Sequence, residues 1–227
     1  KKENGSVEYV LANNEATLIY LANQGCITPH LSLARFDKPD HPDRLIFDLD
    51  PSDGDFRRVR RAARYAKELL DTLRLPTFVQ ITGSRGLHIV VPLDRSAAFD
   101  EVKQFAREVA ALLARRYPSD LTVEQRKNKR GDRVFLDYLR NAYGQTAVAP
   151  YAVRTIEKAP VATPLEWEEA LSSDSGPQRY NVSNIFRRLA QKNDPWAAIA
   201  ESAVSVAKAA ERLAALLQDE SGSAQSK

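Results

Sequence analysis

Asp48 and Asp50, in the run Arg44-Leu45-Ile46-Phe47-Asp48-Leu49-Asp50-Pro51, are carboxylates at strand spacing inside one of the most apolar segments of the chain. Residues two apart on a strand point to the same face, about 6 to 7 Å apart along the backbone. Both acids therefore share a face with Ile46, while Leu45, Phe47 and Leu49 take the other. Anions this close, at the end of a half-buried strand, repel each other and are poorly solvated unless a cation or several donors sit between them. Oxygen-only ligation suits Mg²⁺ or Mn²⁺, with water and phosphate oxygens filling the remaining positions. The same Asp-x-Asp pattern also serves glycosyltransferases and phosphatases, and a structural salt bridge is the competing reading. An EF-hand is excluded, because Asp53 stands where that loop needs Gly and Val59 where it needs Glu.

Asp137 repeats the problem in Arg133-Val134-Phe135-Leu136-Asp137-Tyr138-Leu139-Arg140, a second β-rich apolar run interrupted by an acid. If the two strands are neighbours, Asp48, Asp50 and Asp137 make a site for two metals about 3.5 to 4 Å apart, the arrangement that performs in-line phosphoryl transfer. A salt bridge to Arg133 or Arg140 is the alternative for Asp137. The segment Thr82-Gly83-Ser84-Arg85-Gly86-Leu87-His88 turns between two strands and offers free N–H groups, hydroxyls and a cation, for which phosphate is the natural guest. It is not a Walker loop, since the Gly-Lys-Ser/Thr ending is missing. His88 alternates with Val90 and is placed to donate to a phosphate oxygen. The loop Arg126-Lys127-Asn128-Lys129-Arg130-Gly131-Asp132-Arg133 leads straight into the Asp137 strand. It reads either as a solvated hairpin tip or as a clamp on nucleic-acid backbone through Arg126, Lys127, Lys129, Arg130 and Arg133. Arg154 adds a bidentate fork for phosphate oxygens.

Positioning these groups requires a particular set of elements. The spacing predicts a helix over Glu15 to Asn23 and strands near Thr28 to Leu33 and over Leu45 to Asp50. Phe56, Val59, Ala63, Ala66, Leu70 and Leu73 recur at helical steps, with Arg57, Arg58, Arg60, Arg61 and Arg64 on the opposite face. That face is either solvated or a contact for a polyanion. Strands follow over Thr77 to Ile81 and Leu87 to Pro92, then a helix from Phe99 through Leu113. Further strands are expected at Leu121 to Glu124, Val134 to Tyr138 and Gln145 to Ala149, and helices from Leu165 onward, the last spanning Trp196 to Leu217. The mixture of hairpins and helical crossovers favours α+β over a doubly wound sheet.

The 227-residue chain, 43% apolar and 28% charged, is of a size and composition to fold around a real core. It has no apolar run of membrane-spanning length and no signal-peptide pattern, so a cytoplasmic protein is expected. The lone Cys26 forms no internal disulfide and lacks the partners of a zinc site. A formal charge of +3 is too small for globally basic character, so nucleic-acid contacts must come from local clusters. The absence of methionine, position 1 included, is expected of a fragment.

Four ordered motifs carry a resemblance: Phe47-Asp48-Leu49-Asp50-Pro51, Thr82-Gly83-Ser84-Arg85-Gly86-Leu87-His88, Phe135-Leu136-Asp137-Tyr138-Leu139-Arg140-Asn141 and Ala149-Pro150-Tyr151-Ala152-Val153-Arg154. With them, from Val7 to Leu171, the chain resembles the polymerase domain of bacterial ligase D, of the archaeo-eukaryotic primase superfamily, which serves non-homologous end joining. The resemblance implies an α+β fold with a mixed, largely antiparallel sheet flanked by helices and a helical C-terminal segment. It implies a catalytic core over residues 1–171 with a helical extension over 172–218, while the polar, small-residue-rich stretch 219–227 reads as a disordered tail. Asp48, Asp50 and Asp137 would bind two catalytic ions, Mn²⁺ in preference to Mg²⁺. Thr82, Gly83, Ser84, Arg85, Gly86 and His88 would hold the triphosphate of an incoming NTP or dNTP, assisted by Arg140 and Arg154. The loop from Lys127 to Arg133 would position a primer terminus or a synapsed second end.

Gapped or broken DNA, a ligase domain and a Ku-like end-binding protein are the implied partners, in the cytoplasm with the nucleoid. Family domains carry an additional N-terminal stretch that grips a downstream 5′-phosphate, which is not found in this sequence. Thr82 stands where Ser is common, and no Lys-x-Asp-Gly adenylation motif is present. The leading expectation is thus a template-directed nucleotidyltransferase for gap filling and end extension in double-strand break repair. Its rivals are a non-catalytic module that bridges DNA ends for a partner ligase and, more weakly, an Asp-x-Asp sugar transferase.

Overall fold

The computed structural model describes residues 8–225. Val7, where the resemblance begins, and Ser226 and Lys227 at the tail lie outside the described residues. The chain opens with α1 (Glu15–Asn23), started by Asn14, whose Oδ1 accepts from the Thr17 N–H at 2.9 Å. Then come β1 (His30–Ser32), β2 (Arg44–Asp50), α2 (Phe56–Thr72), β3 (Phe78–Ile81), β4 (Leu87–Pro92) and α3 (Phe99–Arg116). The second half holds β5 (Leu121–Thr122), β6 (Val134–Asp137), β7 (Thr146–Val148), β8 (Thr163–Leu165), α4 (Trp167–Leu171), α5 (Ile185–Gln191) and α6 (Val206–Gln225).

A six-stranded sheet runs in the order β5-β6-β2-β4-β3-β8, and a two-stranded sheet pairs β1 with β7. Among the described residues these strands pair antiparallel except β5 with β6, which are parallel. The α+β expectation is met. Alternation along β2 decides the layers. Leu45, Phe47 and Leu49 enter the main core with Val59, Ala63, Ala66 and Leu70 of α2 and Val102, Ala106, Val109 and Leu113 of α3. Fully burying each of the large side chains contributes about 1.5–3 kcal/mol. On the opposite face Ile46 and Val90 meet Leu33, Ala147 and Trp196 in a smaller cluster, and beyond it that face turns polar.

The arginine face of α2 is largely engaged within the molecule. Arg57 pairs with Asp55, Arg58 with Asp53 and Asp132, Arg61 with Asp120, and Arg60 donates to the Ser172 carbonyl.

Three differences from expectation lie near the C-terminus. Strand β8 was not anticipated; it contains Pro164, which is tolerated because β8 is the edge of the sheet and gives up no ladder bond on its free side. The last helix starts at Val206 rather than Trp196. Val204 bridges to Leu93 and exchanges hydrogen bonds with Pro92 and Asp94, which holds the chain extended there. The helix also continues to Gln225, where a disordered tail was expected from 219. Glu220 anchors it, accepting from Arg115 at 2.6 Å and Arg116 at 2.7 Å. Among the described residues no helix is long and apolar enough to cross a membrane.

Candidate active site

The polar end of the sheet's second face opens into a cleft of about 290 Å³. Its walls carry Asp48, Asp50, Thr82, Ser84, Arg85, His88, Arg130, Asp137, Arg140 and Arg154 from the predicted set. Strands β2 and β6 are neighbours, and Asp48 stands directly opposite Asp137 across the ladder. Asp48 is equally opposite His88 on β4, with Nε2 3.6 Å from Oδ2.

Where β6 ends, Asn141 takes over its pairing. Its carboxamide accepts from the Ile46 N–H and donates to the Ile46 carbonyl, both at 2.8 Å. This pins the turn that carries Arg140. Arg140 Nε lies 3.4 Å from Asp48 and 3.6 Å from Asp137, with no hydrogen bond formed by that nitrogen. The alternative salt bridge for Asp137 is therefore present with Arg140, shared with Asp48, and not with Arg133.

The acids feel this arrangement differently. Burial pushes the Asp48 carboxyl up, but nearby His88 and Arg140 outweigh it and the net shift is downward. Burial likewise pushes Asp137 up, and the Asp48 charge adds to it, so that the Leu139 N–H and the arginines leave it above the usual aspartate value. Asp50 faces Arg130 at 3.3 Å and Arg85 at 3.5 Å. Among the described residues no group of three or more His, Cys, Asp or Glu side chains is gathered as a metal site.

The donor set nevertheless fits a hard divalent cation. Asp48 and Asp137 are facing oxygen donors, one of them under-neutralised, and the Arg140 nitrogen between them sits at long range with an unmet hydrogen. Asp50 stands with Arg85 and Arg130 instead.

The turn between β3 and β4 is built around the Thr82 hydroxyl, which donates to the Gly86 carbonyl and accepts from the Ser84 and Gly86 N–H groups. Gly83 has φ +69°, and a Cβ there would lie 2.8 Å from Arg154 Cγ. At Gly86 a Cβ would lie 2.3 Å from the Leu49 carbonyl oxygen. Both positions require glycine for close approach. Gln178 ties the turn to the C-terminal segment by donating to the Ser84 carbonyl at 2.9 Å.

The basic loop divides. Arg126, Lys127 and Lys129 are exposed. Arg130 turns inward, donating to the Glu124 and Gln125 carbonyls and stacking 3.9 Å over the Phe135 ring. Arg133 folds back on the carbonyls of Arg130 and Lys129 at 2.8 and 2.9 Å. Both guanidinium groups, expected with the backbone clamp, hold the loop instead, and Arg130 also faces Asp50.

His30, Phe135 and Thr146 also line the cleft and were not singled out from sequence. His30 arrives through the pairing of β1 with β7, a contact between segments far apart in the chain that leaves no local signal.

The family profile described as LigD, primase-polymerase domain, matches residues 1–196. The multifunctional non-homologous end joining protein LigD of Pseudomonas aeruginosa is 36% identical over 183 residues, 79% of this chain and 22% of that protein. The bifunctional LigD of Bacillus subtilis is 30% identical over 194 residues, 85% of this chain and 31% of that one. The chain thus spans less than a third of the length of these relatives. The solved polymerase domain of Mycobacterium tuberculosis ligase D, in complex with DNA, superposes with a TM-score of 0.78 at 26% identity, covering 89% of this chain and 73% of that one. With that match over most of its length and the fold of a ligase D polymerase domain, this chain belongs to the LigD primase-polymerase domain family.

Proposed function

We propose that the cleft is a nucleotidyltransferase site, acting on DNA ends or gaps in non-homologous end joining. A primer 3′-hydroxyl attacks the α-phosphorus of a bound NTP or dNTP. The new O–P bond forms as the bond to the β-phosphate oxygen breaks, the hydroxyl proton passes to water, and pyrophosphate leaves with the displaced charge. Asp48, Asp50 and Asp137 would hold two divalent ions, Mn²⁺ or Mg²⁺, which supply activation of the attacking hydroxyl and neutralisation of the phosphates. Arg85, Arg140 and Arg154 line the same cleft as the acids, and their guanidinium groups suit the triphosphate. Ser84 and His88, which line the cleft, orient it, so catalysis is mainly positioning and electrostatics. Outside the cleft, exposed Arg126, Lys127 and Lys129 are available to DNA phosphates.

The observation that carries this reading is the facing pair of Asp48 and Asp137 in the same cleft as Arg85, Arg140 and Arg154. Primer extension on a gapped, 5′-phosphorylated duplex tests it, comparing wild type with Asp137→Ala, ATP with dATP and Mn²⁺ with Mg²⁺. Equal extension by both proteins sinks the carboxylate assignment. A second reading, a non-catalytic end-bridging module working with a ligase domain or a Ku-like protein, draws on the arginines that already occupy the acids. It requires salt-sensitive DNA binding that survives Asp48→Ala, with no incorporation under either metal.

A further inference from the structure

Asp137, Asp48, His88 and Gln80 are successive cross-strand partners on β6, β2, β4 and β3, and so form a single row across one face of the sheet. The proposed reaction uses the first three. Gln80 is 1% exposed and lies between apolar Val79 and Ile81, where a carboxamide is unfavourable unless it is hydrogen-bonded.

Its Nε2 donates to the Val148 carbonyl at 3.2 Å and lies 3.4 Å from His88 Nδ1. The Val148 carbonyl only accepts, and this fixes which way round the amide sits; the reverse orientation would set two oxygens against each other. The second amide hydrogen therefore meets Nδ1, which must accept it. In its neutral form the imidazole carries one N–H, so the ring proton is then on Nε2, the nitrogen that faces Asp48. The amide's Oε1 has no hydrogen-bond partner among the described residues, so the donor half of the group is the half the fold uses.

We infer that Gln80 is a positioning residue that locks His88 in its Nε2–H tautomer, so that the ring presents a donor to an anionic oxygen in the cleft. That this oxygen belongs to a nucleotide phosphate rests on the function proposed above; the tautomer does not.

The chain has three histidines, which makes the test direct. Protein labelled with ¹⁵N-histidine is recorded at mildly alkaline pH, free of metal and nucleotide, with His88 assigned by its loss in His88→Gln. The expected spectrum shows His88 Nδ1 unprotonated and Nε2 protonated. In Gln80→Leu and Gln80→Met the two shifts move towards each other as the tautomers mix. KM for ATP rises roughly three- to tenfold, the worth of one neutral hydrogen bond, while kcat stays within about twofold. A wild-type ring protonated on Nδ1 overturns the inference even if both variants fail to fold, and so do folded variants with an unchanged His88 spectrum. A locked tautomer released in the variants, in a protein that incorporates no nucleotide, upholds the role of Gln80 and overturns the polymerase reading instead.

Discussion

Two clusters in this molecule bring buried acids together with arginine, and they are built differently. Glu169, with a side chain 7% exposed, accepts from the Tyr180 hydroxyl, from Arg188 at 3.1 Å and from Lys192 at 3.2 Å. Burial pushes its carboxyl up, yet these partners prevail and hold it below the usual glutamate value. Asp137 is held above its usual value, and its nearest guanidinium nitrogen stands at 3.6 Å without a hydrogen bond. The Glu169 carboxylate is saturated, although two Arg188 nitrogens have no hydrogen-bond partner among the described residues. Asp137, by contrast, is under-neutralised and lines the cleft. The first arrangement is what a fold uses for stability; the second leaves work for a ligand.

That contrast breaks first at the acids themselves. Asp137→Ala should lower nucleotide incorporation on the order of a thousandfold, about 4 kcal/mol of transition-state stabilisation, measured by primer extension. Asp137→Asn, without metal, should leave the thermal midpoint no lower than wild type, because an under-neutralised charge has been removed. Glu169→Ala should do the opposite, destabilising the fold by about 3 kcal/mol or more in denaturant titration, since it strands Arg188 in the interior. A Glu169 variant as stable as wild type would erase the distinction between the clusters.

Acidity sharpens it further. A carboxyl held below its ordinary value contributes stability that is present above that value and is lost as pH falls through the folded-state value. Glu169 should therefore support the fold above pH 4.5, its ordinary value, and lose that support progressively below it. Glu169→Gln should flatten this part of the curve of unfolding free energy against pH.

The smallest effects belong to the basic loop. Replacing Lys127 or Lys129 by Ala should reduce the salt slope of DNA binding by about 0.9 for each DNA phosphate that the lysine neutralises. Arg133→Ala should leave that slope unchanged, because its guanidinium is already spent on loop carbonyls.

The elements around the site were legible in the sequence wherever periodicity was sustained. α1 matches its predicted bounds, and α2 buries Phe56, Val59, Ala63, Ala66 and Leu70 as its spacing requires. The acids were legible because a charge inside an apolar strand contradicts its surroundings. Gln80 contradicts its strand in the same way and could have been found by that signal. β8 was too short and carried a proline, and the start of α6 was set by Val204 pairing with a distant strand.

By itself the sequence determined the α+β class, the carboxylates, the glycine turn and the order of the motifs, because residue type and local spacing dictate which face of a strand or helix each side chain takes. Only the tertiary structure decided that Asp48 faces both Asp137 and His88, that His30 joins the cleft, and that Arg130 points inward while Lys127 does not. Strand order and register come from burying whole faces together, and that is a property of contacts between segments far apart in the chain.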